Sequence, residues 1–214
     1  MKRQDSEVQN IVQFLERALK GSKPGLKAQL KMVVNPRPGD KTYQEVEETC
    51  IKAGVLALLY PFKKKIYLVL TKRTATVPFH QGQISLPGGR QHQGESIIQT
   101  ALRESKEELN IESHKIKILG ELTPLYVPPS NYCIYPVVAA TWKRPRFDPS
   151  GYEVAEIIEI PLSHLLNPQS VTREVWTLGR NKVDVPFYLY KSHKIWGATA
   201  MVLAELIEIL KSYI

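Results

Sequence analysis

No stretch of this sequence stays apolar for the roughly 18 to 20 residues that a membrane-spanning helix needs. The most apolar segment, residues 198–210, is interrupted by Glu205 and Glu208. Lys2 and Arg3 open the chain, but an amphipathic segment follows instead of an apolar core. A signal peptide is therefore not expected, nor a membrane partner, and the expected compartment is the cytosol. Cysteine is scarce as well. Cys50 and Cys133 are the only two, and one candidate pair in a chain without an export signal reads as two reduced core thiols. Neither lies in a motif that would activate a thiolate. The pattern G-x4-G-K-[ST] is absent, which excludes P-loop nucleotide chemistry. There is no internal repeat and no low-complexity tract.

Acidic residues are outnumbered, 21 against 29 Lys and Arg, for a formal net charge of +8. An acidic partner follows, and phosphate-bearing small molecules and nucleic acid both qualify on charge alone. The basic clusters do not read as a nucleic-acid surface. Lys63, Lys64 and Lys65 fall between two apolar runs, where a hairpin turn belongs, and Lys143, Arg144 and Arg146 lie in a Pro-rich loop as solvated turn residues.

At 214 residues the chain fits one core with additions. Residues 8–20 carry Val8, Ile11, Val12, Leu15 and Leu19 at helical spacing, with Gly21 as a stop. Residues 24–40, rich in Pro, Gly and Lys, read as an extended surface connection. Beyond them come apolar runs of strand type at 53–60, 66–71, 116–125, 132–142, 154–161, 171–178 and 187–190, with helices at 96–110 and 197–213. The pattern predicts an α/β fold with a mixed sheet between helices, residues 1–50 packing as an accessory on a domain of 51–214.

The chemistry is concentrated in residues 87–111, PGGRQHQGESIIQTALRESKEELNI, where Gly89, Glu95, Arg103, Glu104, Glu107 and Glu108 stand at the spacing G-x5-E-x7-R-E-x2-E-E. At about one in twenty per position over roughly 200 starting points, chance supplies such a pattern in only a few chains per million. Ile98, Ala101, Leu102, Ser105 and Leu109 form the expected buried stripe of the helix, and Glu104, Glu107 and Glu108 cluster beside it. Like charges three and four residues apart repel unless a cation or water relieves them. Oxygen ligands of this kind suit the hard divalent cations Mg2+ and Mn2+. Gly88 and Gly89 let the backbone approach the helix closely, and Glu95 and Arg103 are spaced to form an ion pair that fixes the loop.

These residues resemble the Nudix box, with Asn110 and Ile111 at its usual Gly-apolar end. Asn is the residue that best replaces Gly in the left-handed conformation there. The resemblance implies an α/β/α sandwich, dependence on Mg2+ or Mn2+, and hydrolysis of a nucleoside diphosphate linked to another group. A narrower resemblance lies upstream. Residues 68–89, LVLTKRTATVPFHQGQISLPGG, resemble the signature of coenzyme A pyrophosphatases at Thr71, Arg73, His80, Gly82, Gln83, Pro87, Gly88 and Gly89, and depart from it at Thr74, Pro78 and Leu86. Residues 123–125, 135–138, 153–156 and 195–200 are also similar to that family.

The expected substrate is therefore coenzyme A or acyl-CoA, cleaved to 3′,5′-ADP and 4′-phosphopantetheine, acylated or not. Glu104, Glu107 and Glu108, with the Gly88 carbonyl, are the expected metal ligands. Glu104 is the first choice of base and Glu153 the alternative, while Arg103 orients the catalytic group. Arg73, His80, Gly82 and Gly89 are the expected substrate contacts, with the Arg73 fork on a phosphate. Two other readings stand beside this one. The first is a Nudix hydrolase of ADP-ribose, dinucleotides or nucleoside triphosphates; the second is a catalytically inactive nucleotide- or RNA-binding protein of the same fold. A homodimer is left open.

Overall fold

The computed structural model describes residues 2–37, 39, 41–75, 81–149 and 151–213, with side chains from Val8 onward. The chain opens with α1 (Lys2–Ala18), α2 (Gly25–Gln29) and α3 (Tyr43–Val46). Two long strands follow, β1 (Ile51–Phe62) and β2 (Lys65–Arg73), joined by Lys63 and Lys64 at φ 46° and 59°. Positive φ at both turn residues matches the right-handed twist of a tight hairpin. The short strands β3 (Ile84–Ser85) and β4 (Gly88–Arg90) lead into α4 (Ile97–Leu109). Next come β5 (Lys117–Glu121), β6 (Leu125–Val127), β7 (Tyr132–Ala140), β8 (Val154–Pro161) and α5 (Leu162–Leu165). The chain closes with β9 (Val171–Leu178), β10 (Asn181–Tyr190), β11 (His193–Trp196) and α6 (Gly197–Lys211).

The larger sheet is mixed. β1 runs parallel to β7 and antiparallel to β2 and β4, while β2 also pairs with β3 and β8, and β7 with β5 and β6. Alternation along β1 sorts the core into two layers. Leu56, Leu58 and Tyr60 face α4 together with Val69, Val137, Ala139, Ala101 and Leu109. Ala57 and Leu59 face the other way, into a larger cluster with Leu15 of α1 and Leu203 and Leu206 of α6. Helices on both faces of one mixed sheet form an α/β/α sandwich, the expected fold class. A second antiparallel sheet, β11-β10-β9, leads directly into α6.

Several sequence expectations need correcting. The segment read as an extended connection is partly helical: Ala28 and Met32 are buried, and Gln29 Nε2 donates to Thr123 O and to Glu205 Oε2, both at 2.8 Å. A polar, Pro-rich composition hid that anchor, because its partners lie far along the chain. The strand expected over 116–125 breaks into β5 and β6, since Thr123 directs its backbone N–H to buried Glu205 at 3.2 Å. Arg144 is not merely solvated. It forks onto Glu159 with two 2.7 Å hydrogen bonds and covers the Phe62 and Phe147 rings. Cys50 and Cys133 are joined in a disulfide, not reduced, because the parallel register Lys52↔Cys133 brings their Cα atoms to 5.7 Å across 83 residues of sequence. Among the described residues no helix is long and apolar enough to cross a membrane.

Candidate active site

Helix α4 begins at a capping box in which Ser96 Oγ accepts from Gln99 N–H at 3.2 Å while Gln99 Oε1 accepts from Ser96 N–H at 2.7 Å. It ends at Asn110, whose φ of 54° and ψ of 37° are the left-handed cap the sequence led us to expect. The buried stripe differs from expectation. Ala101, Ser105 and Leu109 are buried, but Ile98 and Leu102 are only partly so, and Thr100 and Glu108 occupy interior positions.

The helix sits on β1 at Gly54. A β-carbon there would lie 2.7 Å from Ile97 O and 3.1 Å from Ala101 N, so only glycine lets α4 pack this close. The same Gly54 pairs with Gly89, and Val55 with Gly88. The two box glycines thus lie in strand β4. Gly88, at φ 156°, faces Gly54 O and Val55, where a β-carbon would fall within 2.4 to 2.7 Å of their atoms. Sequence reasoning missed Gly54, although a glycine inside an apolar strand signals a close backbone approach.

Arg103 is the hub of the outer face. Its Nε donates to Glu95 Oε1 at 2.7 Å, its Nη2 to Glu95 Oε2 at 3.2 Å and to Arg90 O at 3.0 Å, and its Nη1 to Glu104 Oε1 at 2.7 Å and Glu107 Oε2 at 3.1 Å. Every N–H of the guanidinium therefore has an acceptor. The Arg103 hydrogen bonds hold the Glu95 carboxyl down at about 2, helped by His92 N–H and the Thr100 hydroxyl. The pair anticipated from spacing forms, and it reaches two further carboxylates that spacing did not reveal.

The three box glutamates differ in environment. Glu107 is 58% exposed and Glu108 only 3%. Burial pushes Glu104 up, with Glu107 and Glu153 repelling it and Arg103 opposing the rise. Burial likewise pushes Glu108 up to about 8, against the pull of Arg73 and a hydrogen bond from Gly88 N–H. Glu104 and Glu153 add repulsion there. Arg73, at the end of β2, places Nη1 3.9 Å from Glu108 Oε1, and its Nε is buried without a hydrogen-bond partner. Thr71 Oγ1 approaches Glu108 Oε2 at 3.5 Å.

Glu153 is brought in by the chain pairing Thr74 N–H to Glu153 O at 2.9 Å, so a residue far along the chain joins the box carboxylates. Gly82, at φ 68°, closes the upstream loop: its N–H donates to Arg73 O at 3.2 Å, and Arg73 N–H donates to Gln83 O at 3.0 Å. His80 and the departure at Pro78 lie outside the described residues.

Oxygen donors, a carboxylate pushed up by burial and by neighbouring carboxylates despite Arg73, and a glycine that clears room for Glu104 together suit a hard divalent cation in chemistry. Among the described residues, no three acidic, His or Cys side chains are gathered as a ready cage. Arg103 draws Glu107 outward while Glu108 turns inward.

Residues 51–175 match the family model of the NUDIX domain. The chain belongs to the Nudix family. It is 39% identical over 153 residues, 70% of this chain and 81% of the relative, to the uncharacterized Nudix hydrolase NudL of Photorhabdus laumondii. It is 31% identical over 165 residues to the human mitochondrial coenzyme A diphosphatase NUDT8, covering 75% of this chain and 66% of that protein. Among solved structures, a Nudix hydrolase of M. smegmatis, RenU, aligns over 77% of this chain and 87% of its own with a TM-score of 0.50 at 14% identity, a likeness of fold. As a Nudix hydrolase, the protein is a pyrophosphohydrolase of a family that acts on small diphosphate substrates and generally needs divalent cations.

Proposed function

We propose that this Nudix hydrolase cleaves the diphosphate of coenzyme A or acyl-CoA, releasing 3′,5′-ADP and 4′-phosphopantetheine with or without its acyl group. One observation carries the reading: the buried Glu108, raised by burial and flanked by Glu104, faces Arg73, a residue of the upstream signature at the end of β2. The named activity of the human relative supports the substrate. Glu104, Glu107 and Glu108, with the Gly88 carbonyl, would hold Mg2+ or Mn2+. Such an ion supplies charge neutralisation on the phosphates and a more acidic water.

The protein's own groups do the rest. Arg73 offers a charged fork to a phosphate oxygen. Gly89 leaves space for the Glu104 carboxylate, and Arg103 holds that carboxylate in place from outside. Glu104, already raised by burial, takes the proton of the water as its oxygen bonds to phosphorus; Glu153 is the second candidate. The bridging P–O bond breaks and its electron pair leaves on the departing phosphate.

Matched reactions on CoA, acyl-CoA and ADP-ribose with Mg2+ or Mn2+, followed by mass spectrometry, test the proposal. Formation of 3′,5′-ADP from CoA is expected. A clear preference for ADP-ribose, with no 3′,5′-ADP from CoA, would remove the CoA assignment and leave the family assignment standing.

A further inference from the structure

We propose that Thr100 is a positioning residue for the box carboxylates, acting through Glu95 and Arg103. The inference rests on the metal-binding reading above. Thr100 is wholly buried on α4, and it was not among the residues that spacing singled out. Its hydroxyl lies 3.0 Å from Glu95 Oε2 and 3.1 Å from Ser96 O. A hydroxyl has a single proton, and the charged acceptor binds it more strongly. The contact therefore ties Glu95, which precedes the helix, to the helix interior.

The inward side of Thr100 is equally constrained. A β-carbon on Gly54 would meet the Thr100 Cβ at 3.2 Å, so the side chain is wedged between β1 and the loop. Thr100 itself is out of contact with solvent. Glu95 Oε2 also receives His92 N–H at 3.1 Å and Arg103 Nη2 at 3.2 Å. The hydroxyl fixes the Glu95 rotamer from inside, Glu95 fixes the plane of the guanidinium, and the Nη1 end of that plane sets Glu104 and Glu107. No atom of Thr100 needs to touch the substrate or the cation for this to work.

The test uses the full chain and Mn2+ alone, with unbound Mn2+ read by electron paramagnetic resonance and folding followed by thermal melts. Thr100→Val keeps shape and branching but removes the donor, and it should raise the Mn2+ Kd about tenfold, at the lower end of what a hydrogen bond to a charged group carries. Thr100→Ser keeps the donor and should bind within about twofold of the parent. In a Glu95→Gln background, Thr100→Val should add little. If Val does not fold, Thr100→Ala also lacks the hydroxyl and carries the same expectation. Parent-like Mn2+ binding by the Val or Ala variant, or equal weakening by Val and Ser, overturns the role of Thr100. If Glu108→Gln loses Mn2+ while Thr100→Val keeps it, only the positioning role falls. If Glu108→Gln binds as the parent does, the metal assignment falls and the inference with it.

Discussion

Gly89 and Glu104 fit by the absence of one carbon: a β-carbon on Gly89 would stand 2.5 Å from the Glu104 Cδ and within 2.7 Å of both carboxylate oxygens. The Glu104 carboxylate can lie against strand β4 at this point because position 89 carries no side chain. Gly89→Ala should therefore displace the Glu104 carboxylate while leaving an ordinary strand backbone. We expect a loss of kcat of about 100-fold, comparable with removing one preorganised electrostatic group, and a small change in Tm. Steady-state kinetics beside a thermal melt checks it, and an active Gly89→Ala enzyme would contradict the assignment of Glu104.

Glu108 makes the metal-free protein sensitive to pH. Its folded carboxyl titrates at about 8 against a usual value of 4.5, so between these values the folded state binds more protons than the unfolded one. Stability must then fall as pH rises through this window, and the contribution is fully present below it. The full shift corresponds to a difference on the order of 5 kcal/mol. Glu108→Gln should flatten the decline in Tm between pH 5 and 8 in chelator-treated protein, and it should also weaken Mn2+ binding. A decline of the same slope in the variant would place the titration elsewhere.

The disulfide gives a third expectation. Joining Cys50 to Cys133 closes a loop spanning 83 residues, and a cross-link of that length restricts the unfolded chain by about 4.5 kcal/mol in the chain-entropy account. Reductant should lower Tm by about 10 °C, and Cys50→Ser should abolish that dependence on reductant. Thiol titration of the denatured, unreduced protein should find none free. Two titratable thiols would restore the reduced pair expected from the sequence.

The sequence by itself determined the elements whose signal is local. The 3.6-residue periodicity places α4 and α6, apolar runs place β1, β2 and β7, and the box spacing singles out Glu95, Arg103 and the three glutamates. Asn110 as a left-handed cap was legible because backbone preference there depends on the residue itself, and Lys63 with Lys64 as a hairpin turn because they stand between two apolar runs. Tertiary structure decided what depends on residues distant in sequence. Gly54 governs the approach of α4 and pairs with Gly89 across the sheet. Glu153 reaches Glu104 and Glu108 only because β8 lies beside β2, and Cys50 meets Cys133 only through the parallel register of β1 and β7. Spacing also put the three glutamates on one side of a helix without saying which would be buried. That followed from the sheet beneath Glu108 and from the Arg103 fork that draws Glu107 outward, because burial and charge compensation are properties of the assembled surroundings and not of the helix alone.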